Sequence, residues 1–394
     1  MKKIASLVVL SALIVACSVI IQPVSALENS WMSRPPMFES AGRAVAADGK
    51  IYAVGADGIV QEYNPLALTW TKKASMPNPT GGGIAVYQNK IYIIGDNYNE
   101  VYDLATDTWT SKTAMPTKRT GIQANVVGDK IYLMGGVTES GTILDVNEAY
   151  DPATDTWTTK EPIPTPVYLY ASAVVDNKIY IIGGSAEPPN VVLDLVQIYD
   201  PQNDSWTTGT PMPTAVRYAS AVSTTGLFAP KRIYVIGGLQ SGNGLNLNQV
   251  YDPKTDSWTK GTSMPTARYD LGVAVVNDTI YAMGGVLLPP YAFPKEPLTT
   301  NEVYLPIGYE GPLPPHWEPT PSPSISPSAS PSPTINPTLT PKSTPTQSPS
   351  PSAPPEDDSM PIEIVLVTIA VAAIVIPVVI ILIIRKRAKN FPIQ

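Results

Sequence analysis

Three arginines carry the most promising chemistry in this sequence, because each follows a Met-Pro pair by a few residues. These are Arg119, Arg217 and Arg268, and Tyr218 and Tyr269 stand directly beside two of them. A guanidinium offers a planar fork of donors that fits a carboxylate, so equivalent positions in a repeated unit predict contact with a ligand. The alternative is that each arginine bonds to backbone carbonyls inside the fold.

The sequence offers little for catalysis. It contains one histidine, His316, and one cysteine, Cys17. It therefore cannot assemble a His/Cys metal site or a Ser-His-Asp set, and no metal or cofactor is predicted. The formal net charge of −7 lacks the basic excess that nucleic-acid binding requires. We expect a binding protein that is not an enzyme.

The N-terminus has the layout of a secretory signal peptide. Two lysines precede an apolar stretch over residues 4–21, and small residues end at Ala26. We predict a signal peptide over residues 1–26 with cleavage after Ala26. The alternative is lipidation of Cys17, which ends a lipobox-like sequence, although the residues after it stay apolar. Cleavage after Ala26 would leave an exported chain without cysteine, and therefore without disulfides.

The C-terminal quarter of the chain predicts a stalk and an anchor. About two-thirds of residues 310–358 are Pro, Ser or Thr, which favours an extended stalk that sugars would stiffen, or a plain disordered linker. Residues 361–384 are apolar and long enough to cross a bilayer. The basic residues within 385–394 predict a cytoplasmic tail and an extracellular N-terminal part. A C-terminal sorting signal is the alternative to this transmembrane helix.

Residues 31–305 contain a repeated unit of about forty to fifty residues. Each unit has a small-residue strand, a polar turn, a strand with Ile-Tyr, a loop, a strand ending in Tyr, a tight turn and a Trp strand. In all five complete units the Trp follows the Tyr by seven residues. Four short strands per unit are typical of a propeller blade. The tryptophans are Trp31, Trp70, Trp109, Trp157, Trp206 and Trp258.

This pattern of diglycine, Tyr and Trp resembles the Kelch repeat, which implies an all-β propeller. The diglycines are Gly135-Gly136, Gly183-Gly184, Gly237-Gly238 and Gly284-Gly285. Gly55-Ala56 and Gly95-Asp96 depart from the motif, so looser local packing is expected in the first two blades. The sixth unit stops after Tyr304, whereas Trp31 has no unit of its own. We therefore predict six blades over residues 27–309, closed by residues 28–36 pairing beside residues 301–305.

The predicted binding face carries the loops between the second and third strands together with the blade connections. These loops are short in the first two units and long in the others, at Val137–Glu148, Ser185–Gln197, Leu239–Gln249 and Val286–Glu302. The last of them contains an apolar tip with Tyr291, which we add to the candidate ligand contacts. Two sequons, at Asn203 and Asn277, fall in predicted turns and are candidate N-glycosylation sites.

Three functions remain open from the sequence. The first is a cell-surface adhesion or ligand-binding protein for an extracellular protein, peptide or glycan, since the resemblance implies ligand contact by arginines near the inner strands. The second is a sialic-acid mutarotase-like enzyme, because Glu148 and the three arginines supply the residue types that the resemblance implies for it. The third is a structural envelope component without a ligand. The copper-radical oxidases among Kelch proteins are excluded, because the required histidines and cysteine are absent.

Overall fold

The computed structural model describes residues 27–79, 81–186, 191–287 and 297–317. Within these ranges the chain forms β-strands and no helix, and accordingly none of them supplies an apolar helix long enough to span a bilayer. Several predictions concern residues outside the described ranges. They are the signal peptide over 1–26, the stalk beyond residue 317, the helix over 361–384, the tail over 385–394 and the contact at Tyr291.

Six antiparallel four-stranded sheets form the blades. Blade 1 contains β2 (Arg43–Ala47), β3 (Lys50–Val54), β4 (Val60–Asn64) and β5 (Thr69–Lys72). Blade 2 contains β6 (Gly83–Tyr87), β7 (Lys90–Gly95), β8 (Tyr98–Asp103) and β9 (Thr108–Ser111). Blade 3 contains β10 (Ala124–Val127), β11 (Lys130–Met134), β12 (Asn147–Asp151) and β13 (Thr156–Lys160). Blade 4 contains β14 (Ala171–Val175), β15 (Lys178–Ile182), β18 (Val196–Asp200) and β19 (Ser205–Gly209). Blade 5 contains β20 (Ser220–Ser223), β21 (Ile233–Ile236), β24 (Asn248–Asp252) and β25 (Ser257–Lys260). Small hairpins in the loops pair β16 (Ser185–Ala186) with β17 (Val191–Val192), and β22 (Leu239–Gln240) with β23 (Asn243–Gly244).

Blade 6 joins the two ends of the propeller. It contains β26 (Gly272–Val276), β27 (Thr279–Met283), β28 (Asn301–Leu305) and, as its outer strand, β1 (Ser30–Arg34). Trp31 lies opposite Tyr304 in an antiparallel register. The prediction of six blades closed by the N-terminal strand is therefore confirmed, and the ring has no first or last blade with an open face.

The second glycine of each diglycine connects its blade to the next. Gly136 has a φ of +99°, which favours glycine, and its N–H donates to the carbonyl of Val167 at 2.8 Å. Blade 2 has Asp96 at this position. Asp96 adopts a φ of +50° and donates to the carbonyl of Arg119 at 2.8 Å. The contact between blades is thus preserved without the second glycine, since Asp is among the residues that tolerate this conformation.

Aromatic rings fill the seams between blades. The second-strand tyrosine of each blade packs on the third-strand tyrosine of the next, with ring centroids 5.9 to 6.3 Å apart. The pairs are Tyr52–Tyr102, Tyr92–Tyr150, Tyr132–Tyr199, Tyr180–Tyr251, Tyr234–Tyr304 and Tyr281–Tyr63. Each third-strand tyrosine also packs on its own blade's tryptophan. Tyr and Trp thus fill the wedge between blades with buried apolar area.

In five of the six blades, one residue is held by the following blade through both its N–H and its carbonyl. At Thr113, the carbonyl accepts from the Trp157 indole N–H at 3.0 Å, and the N–H donates to Asp155 Oδ1 at 2.9 Å. The Tyr150 hydroxyl donates to the same carboxylate at 2.7 Å. We call this Tyr–Asp–Trp arrangement the inter-blade clamp. It recurs on Ala74, Glu161 and Thr210.

The two remaining seams modify the clamp in ways that follow from local chemistry. In blade 6 the acceptor is Asn29, whose Oδ1 accepts from the N–H of Thr262 at 2.6 Å. In blade 1 the residue held is Pro35, which lacks an N–H, and the Trp70 indole donates to its carbonyl at 2.9 Å. Leu68 stands at the position of the aspartate in blade 1, where a hydrogen-bond acceptor would find no N–H donor on Pro35.

The folded part of the chain continues past the last strand to Trp317. The N–H of Glu310 donates to the carbonyl of Phe228 at 2.7 Å, and Tyr309 and Trp317 are buried. The first residues assigned by composition to the stalk therefore pack on the propeller, because Trp317 supplies apolar area that a Pro/Ser/Thr segment lacks.

We expect Asp155→Ala to lower the free energy of unfolding by about 1–3 kcal/mol, because the N–H of Thr113 loses its acceptor. Asp155→Asn is the matched control, since Asn29 shows that an amide oxygen performs this role in blade 6. Urea unfolding measures both variants. Equal losses in the two would contradict the clamp.

The clamp also predicts sensitivity to acid. The tyrosine hydroxyl that donates to each carboxylate holds the pKa of Asp107, Asp155 and Asp256 below the usual range. A lowered folded-state pKa means that this stability is complete above the unfolded pKa, about 4, and is lost as the pH falls through the folded value. The difference in unfolding free energy between wild type and Asp155→Asn should therefore shrink as the pH falls below about 4. A difference independent of pH would refute this.

Candidate functional site

The blade connections and the loops between second and third strands lie on one face of the propeller. Isolated β-bridges join them directly in four successive blades. The bridges are Thr120–Val137, Tyr168–Ser185, Arg217–Leu239 and Tyr269–Val286. The predicted sharing of one face by these segments is confirmed, and the backbone holds the long loops in place. We call this surface the long-loop face.

The same bridges correct the alignment of the three arginines. Arg217 occupies the position of Tyr168 and Tyr269, whereas Arg119 and Arg268 lie one residue earlier in their blades. The expectation that all three are equivalent was therefore wrong. The connections are equally long, but Arg217 occupies the next position along the connecting strand, so its side chain lies on the other side of that strand.

Arg119 and Arg268 are held inside the fold by carboxylates. Both guanidinium side chains are 0% exposed. Arg268 donates to Glu302 at 2.6 Å and to the carbonyl of Ala282 at 3.1 Å, and Arg119 makes the matching contacts with Glu148 and Leu133. Burial lowers the pKa of Arg268, and the charge of Glu302 opposes that shift. Ligand contact by these two arginines stays a prediction, and the structure gives each of them an internal partner.

Other blades solve the same packing problem without charge. At the Glu148 position, blade 4 has Gln197, whose amide accepts from the N–H of Thr165 at 2.8 Å and donates to its carbonyl at 3.1 Å. At the Arg119 position, blade 4 has Val167. Arg119 with Glu148 and Val167 with Gln197 are thus alternative ways of fastening a connection to the third strand.

The inner strands surround a central channel of about 760 Å³. Its wall consists mostly of Gly, Ala, Val and Ser, because six strands converge there. Asn125 is the most buried amide of the wall. Its Oδ1 accepts from the Ser172 hydroxyl at 2.8 Å, and its Nδ2 has no hydrogen-bond partner in the described part of the chain. The volume lies within the range of about 300–1,000 Å³ that is typical of small-molecule sites.

An arc of left-handed residues forms part of the channel mouth. Leu169, Tyr218 and Asp270 have φ of +55°, +55° and +54°. The N–H of each donates to the carbonyl of the equivalent residue in the preceding blade, at 2.8 to 2.9 Å. For Leu169 this equivalent residue is Gly121. Non-glycine residues in this conformation are uncommon, and they cluster at functional sites. The Tyr218 ring also packs edge-on against Tyr269 at 5.7 Å.

Arg43 completes the mouth on the side of blade 1. It begins the inner strand β2 and lines the channel. Its Nη1 is buried and has no hydrogen-bond partner among the described residues. Burial lowers the pKa of Arg43, and the charge of Asp270 opposes that shift.

The structure therefore brings together some predicted residues and adds others. Arg217 and Tyr218 lie half-exposed on the long-loop face with Tyr168, which sequence reasoning missed. Tyr269 is buried beneath Tyr218. Arg43 was also missed, although an arginine at the start of a strand otherwise lined by small residues was a visible signal.

The remaining candidates are placed simply. Asn203 and Asn277 are both exposed in turns between strands, as expected, and their glycosylation stays a prediction. His316 is exposed near the end of the described chain. No cluster of three His, Cys, Asp or Glu suited to a metal occurs in the described ranges.

A six-bladed propeller of four-stranded blades with diglycine, Tyr and Trp at fixed places is the class that this geometry defines. The sequence matches the family described as the KLHDC2/KLHL20/DRC7 Kelch-repeats domain, over residues 42–238 and again over residues 83–285. The chain therefore belongs to the Kelch-repeat family, as the resemblance implied. Domains of this family generally bind protein partners.

Curated relatives are similar over single stretches of the propeller. Kelch-like protein terF of Aspergillus terreus is 40% identical over 73 residues, which is 16% of this chain and 16% of that protein. Kelch-like protein 15 of Danio rerio is 39% identical over 62 residues, 14% of this chain and 10% of that protein. Kelch-like protein 7 of Homo sapiens is 44% identical over 50 residues, 13% of this chain and 8% of that protein. The matches thus span less than a fifth of these relatives.

A solved structure titled "Structure of YjhT" resembles the propeller with a TM-score of 0.58 and 16% sequence identity. The alignment covers 68% of this chain and 95% of that one. At this level of identity the likeness shows a shared fold.

A double-mutant cycle tests the internal role of Arg119. We expect Arg119→Val and Glu148→Gln each to lower the free energy of unfolding, Arg119→Val by about 3–5 kcal/mol, because it leaves a buried charge unpaired. The double variant has the same residue pair as Val167 and Gln197 in blade 4, and it should recover most of the lost free energy of unfolding. Additive losses in thermal or urea unfolding would show that the two side chains act independently.

Proposed function

We propose that this protein is a cell-surface binding protein whose long-loop face contacts a protein partner. The observation that carries the proposal is the group of Tyr168, Arg217 and Tyr218. These side chains are half-exposed and lie on connections that the backbone bridges hold to the long loops.

The residue types favour a protein interface. Tyrosine and arginine are enriched among residues that dominate binding energy, because they combine large contact area with directional hydrogen bonds. Among the described residues, the Arg217 side chain makes one long hydrogen bond, 3.4 Å to the Ser185 hydroxyl, and most of its donors have no partner in that part of the chain. The rigid connections reduce the entropy that binding has to overcome.

The cell-surface part of the proposal rests on the sequence at both ends of the chain. The signal peptide predicted over residues 1–26 supports export, and the apolar run over 361–384 with its basic tail supports anchoring with the propeller outside.

Binding is favoured over mutarotase-type catalysis. The residues considered for that enzyme were the three arginines and Glu148, and the structure commits Arg119, Arg268 and Glu148 to internal ion pairs. They do not form one accessible set. We expect that the purified protein does not accelerate the anomerisation of sialic acid, as measured by NMR.

We expect a fragment of residues 27–317 to bind a protein or peptide ligand through this face. The ring closes within it, because the strand Ser30–Arg34 pairs with the strand Asn301–Leu305. A peptide-display library and a glycan array supply ligands. Binders should weaken about tenfold or more with Tyr168→Ala or Arg217→Ala, because these side chains are proposed contacts.

Leu66→Ala is the control, since Leu66 is 77% exposed in the tight turn between β4 and β5, away from the long loops. Equal weakening by Leu66→Ala, or no binder in either screen, would contradict the assignment of the face.

We also expect the full chain, expressed in cells, to be detected by an antibody against residues 27–317 without permeabilisation. Detection only after permeabilisation would refute the cell-surface part while leaving the binding face untested by that result alone.

A further inference from the structure

We propose that residues 306–317 form a releasable strap, which holds the seam between blades 6 and 1 in place of the clamp aspartate that this seam lacks. The strap acts on the closure of the ring, so it depends neither on the protein-binding face nor on a position at the cell surface.

The seam between blades 6 and 1 keeps the backbone of the inter-blade clamp without its carboxylate. Leu68 lies two residues before Trp70, just as Asp107 and Asp155 lie two residues before their tryptophans. Its φ of +56° matches the +55° and +56° of those two aspartates. Leucine rarely adopts this left-handed conformation, whereas aspartate tolerates it. The position is therefore shaped for an aspartate that is absent.

The absent carboxylate leaves a buried arginine without the usual partner. In two other seams a lysine three residues after the tryptophan pairs with the clamp aspartate of the next blade. These pairs are Lys73–Asp107 at 3.7 Å and Lys160–Asp204 at 3.8 Å. Arg34 has the same position after Trp31, but Leu68 is its counterpart in blade 1. Its Nε and Nη2 are buried and have no hydrogen-bond partner among the described residues, so its charge needs another form of stabilisation.

Trp317 supplies that stabilisation from the strap. The centroid of its ring lies 5.7 Å from the guanidinium carbon of Arg34, within the range of a cation–π interaction. Trp317 is 8% exposed, and Leu68 and Leu313 pack against the hydrophobic cluster to which it belongs. An aromatic ring over the cation and a leucine beside it thus replace the lysine–aspartate pair of other seams.

An insertion in blade 5 forms a seat for the strap. The turn between the two inner strands has two residues in the other blades, but it extends over residues 224–232 in blade 5. The carbonyl of Phe228 accepts from the N–H of Glu310 at 2.7 Å, and the Phe228 ring lies 6.2 Å from that of Tyr309. Asp278 of blade 6 fixes the insertion, since its carboxylate accepts from the N–H of Phe228 at 2.7 Å.

The strap is fastened less firmly than the strand before it. Within the described chain, two of its backbone N–H groups bond to the rest of the propeller: that of Glu310, and that of Gly308, which donates to the Glu28 carboxylate. By contrast, β28 pairs with both β27 and β1. Segments with few backbone hydrogen bonds open at lower free energy than paired strands, so the strap should detach before β28.

Thiol labelling tests whether the strap holds this particular seam. Residues 27–322 contain no cysteine, and a chain of this length places no terminal carboxylate beside Arg34. Met37→Cys puts a buried reporter into the seam between blades 6 and 1, and Met115→Cys puts the matched reporter into the seam between blades 2 and 3. Adding Trp317→Ala should accelerate labelling about tenfold or more in Met37→Cys and leave it unchanged in Met115→Cys.

A rescue variant links the strap to the missing clamp. In the background of Met37→Cys and Trp317→Ala, Leu68→Asp returns a carboxylate to a position with a suitable φ and gives Arg34 a partner. Labelling should slow most of the way to its original rate. Leu68→Asn is the matched control, because it accepts the same φ but carries no charge, and it should restore less protection.

Optical-tweezers measurements test release. One handle is attached through Ala153→Cys in the exposed turn of blade 3, and the other at residue 322. Detachment of residues 306–317 should give a first step of at most about 40 Å before the ring unfolds. Trp317→Ala should lower the force of this step.

Three results would overturn the strap. Unchanged labelling of Met37→Cys by Trp317→Ala would show that Trp317 does not hold the seam, and equal acceleration in both reporters would make its role a general one. A ring that ruptures without a first step would show that the strap is not released separately. Slower labelling with Leu68→Asp than with Leu68→Asn, on the other hand, would support replacement of the clamp.

Discussion

The inter-blade clamp is the interaction on which the rest of this structure depends. Each blade is a small sheet that cannot bury both of its faces alone, so the ring exists only if neighbours hold each other in register. The clamp binds the N–H and the carbonyl of one residue from the preceding blade, and it does so with side chains seven residues apart in sequence or closer. A short segment of sequence thus specifies a contact between blades some forty to fifty residues apart, and the aromatic seams add apolar area to the same contact.

The exceptions show how directly chemistry governs this arrangement. Pro35 has no N–H, and the aspartate that accepts this N–H in other blades is replaced by Leu68. Asn29 replaces the aspartate where the N-terminal strand enters blade 6, and its amide oxygen accepts from both Thr262 and Tyr304. The N-terminal strand thus supplies the clamp of the last blade. Residues on either side of Trp31 complete a blade whose first strand begins after residue 270, so the ring closes between the two ends of the propeller sequence.

A rigid ring of this kind separates stability from binding. The connections are fastened to third strands by Glu148, Gln197 or Glu302, and to the long loops by β-bridges, so their outward side chains need not contribute to the fold. Arginine illustrates both uses. Arg119 and Arg268 are paired inside, whereas Arg217 faces the rim and Arg43 the channel. For Arg119, Arg217 and Arg268, the same residue type after the same Met-Pro pair therefore has different roles, decided by a shift of a single position along a strand.

The repeat, the six blades and closure by the Trp31 strand could all be predicted, because strand pattern and aromatic spacing are local and recur. The residues of the proposed binding face could be predicted only in part. Arg217 and Tyr218 were correctly placed on the long-loop face, but alignment by Met-Pro alone made three arginines equivalent when two are internal. Arg43 was missed although it stands at the start of a strand of small residues, because the sequence does not show which strands surround the channel that it lines. Local sequence thus determined which strands form and how neighbouring blades hold each other. Which arginine meets a carboxylate and which meets solvent depended on residues brought together from distant blades, and only the closed ring decides that.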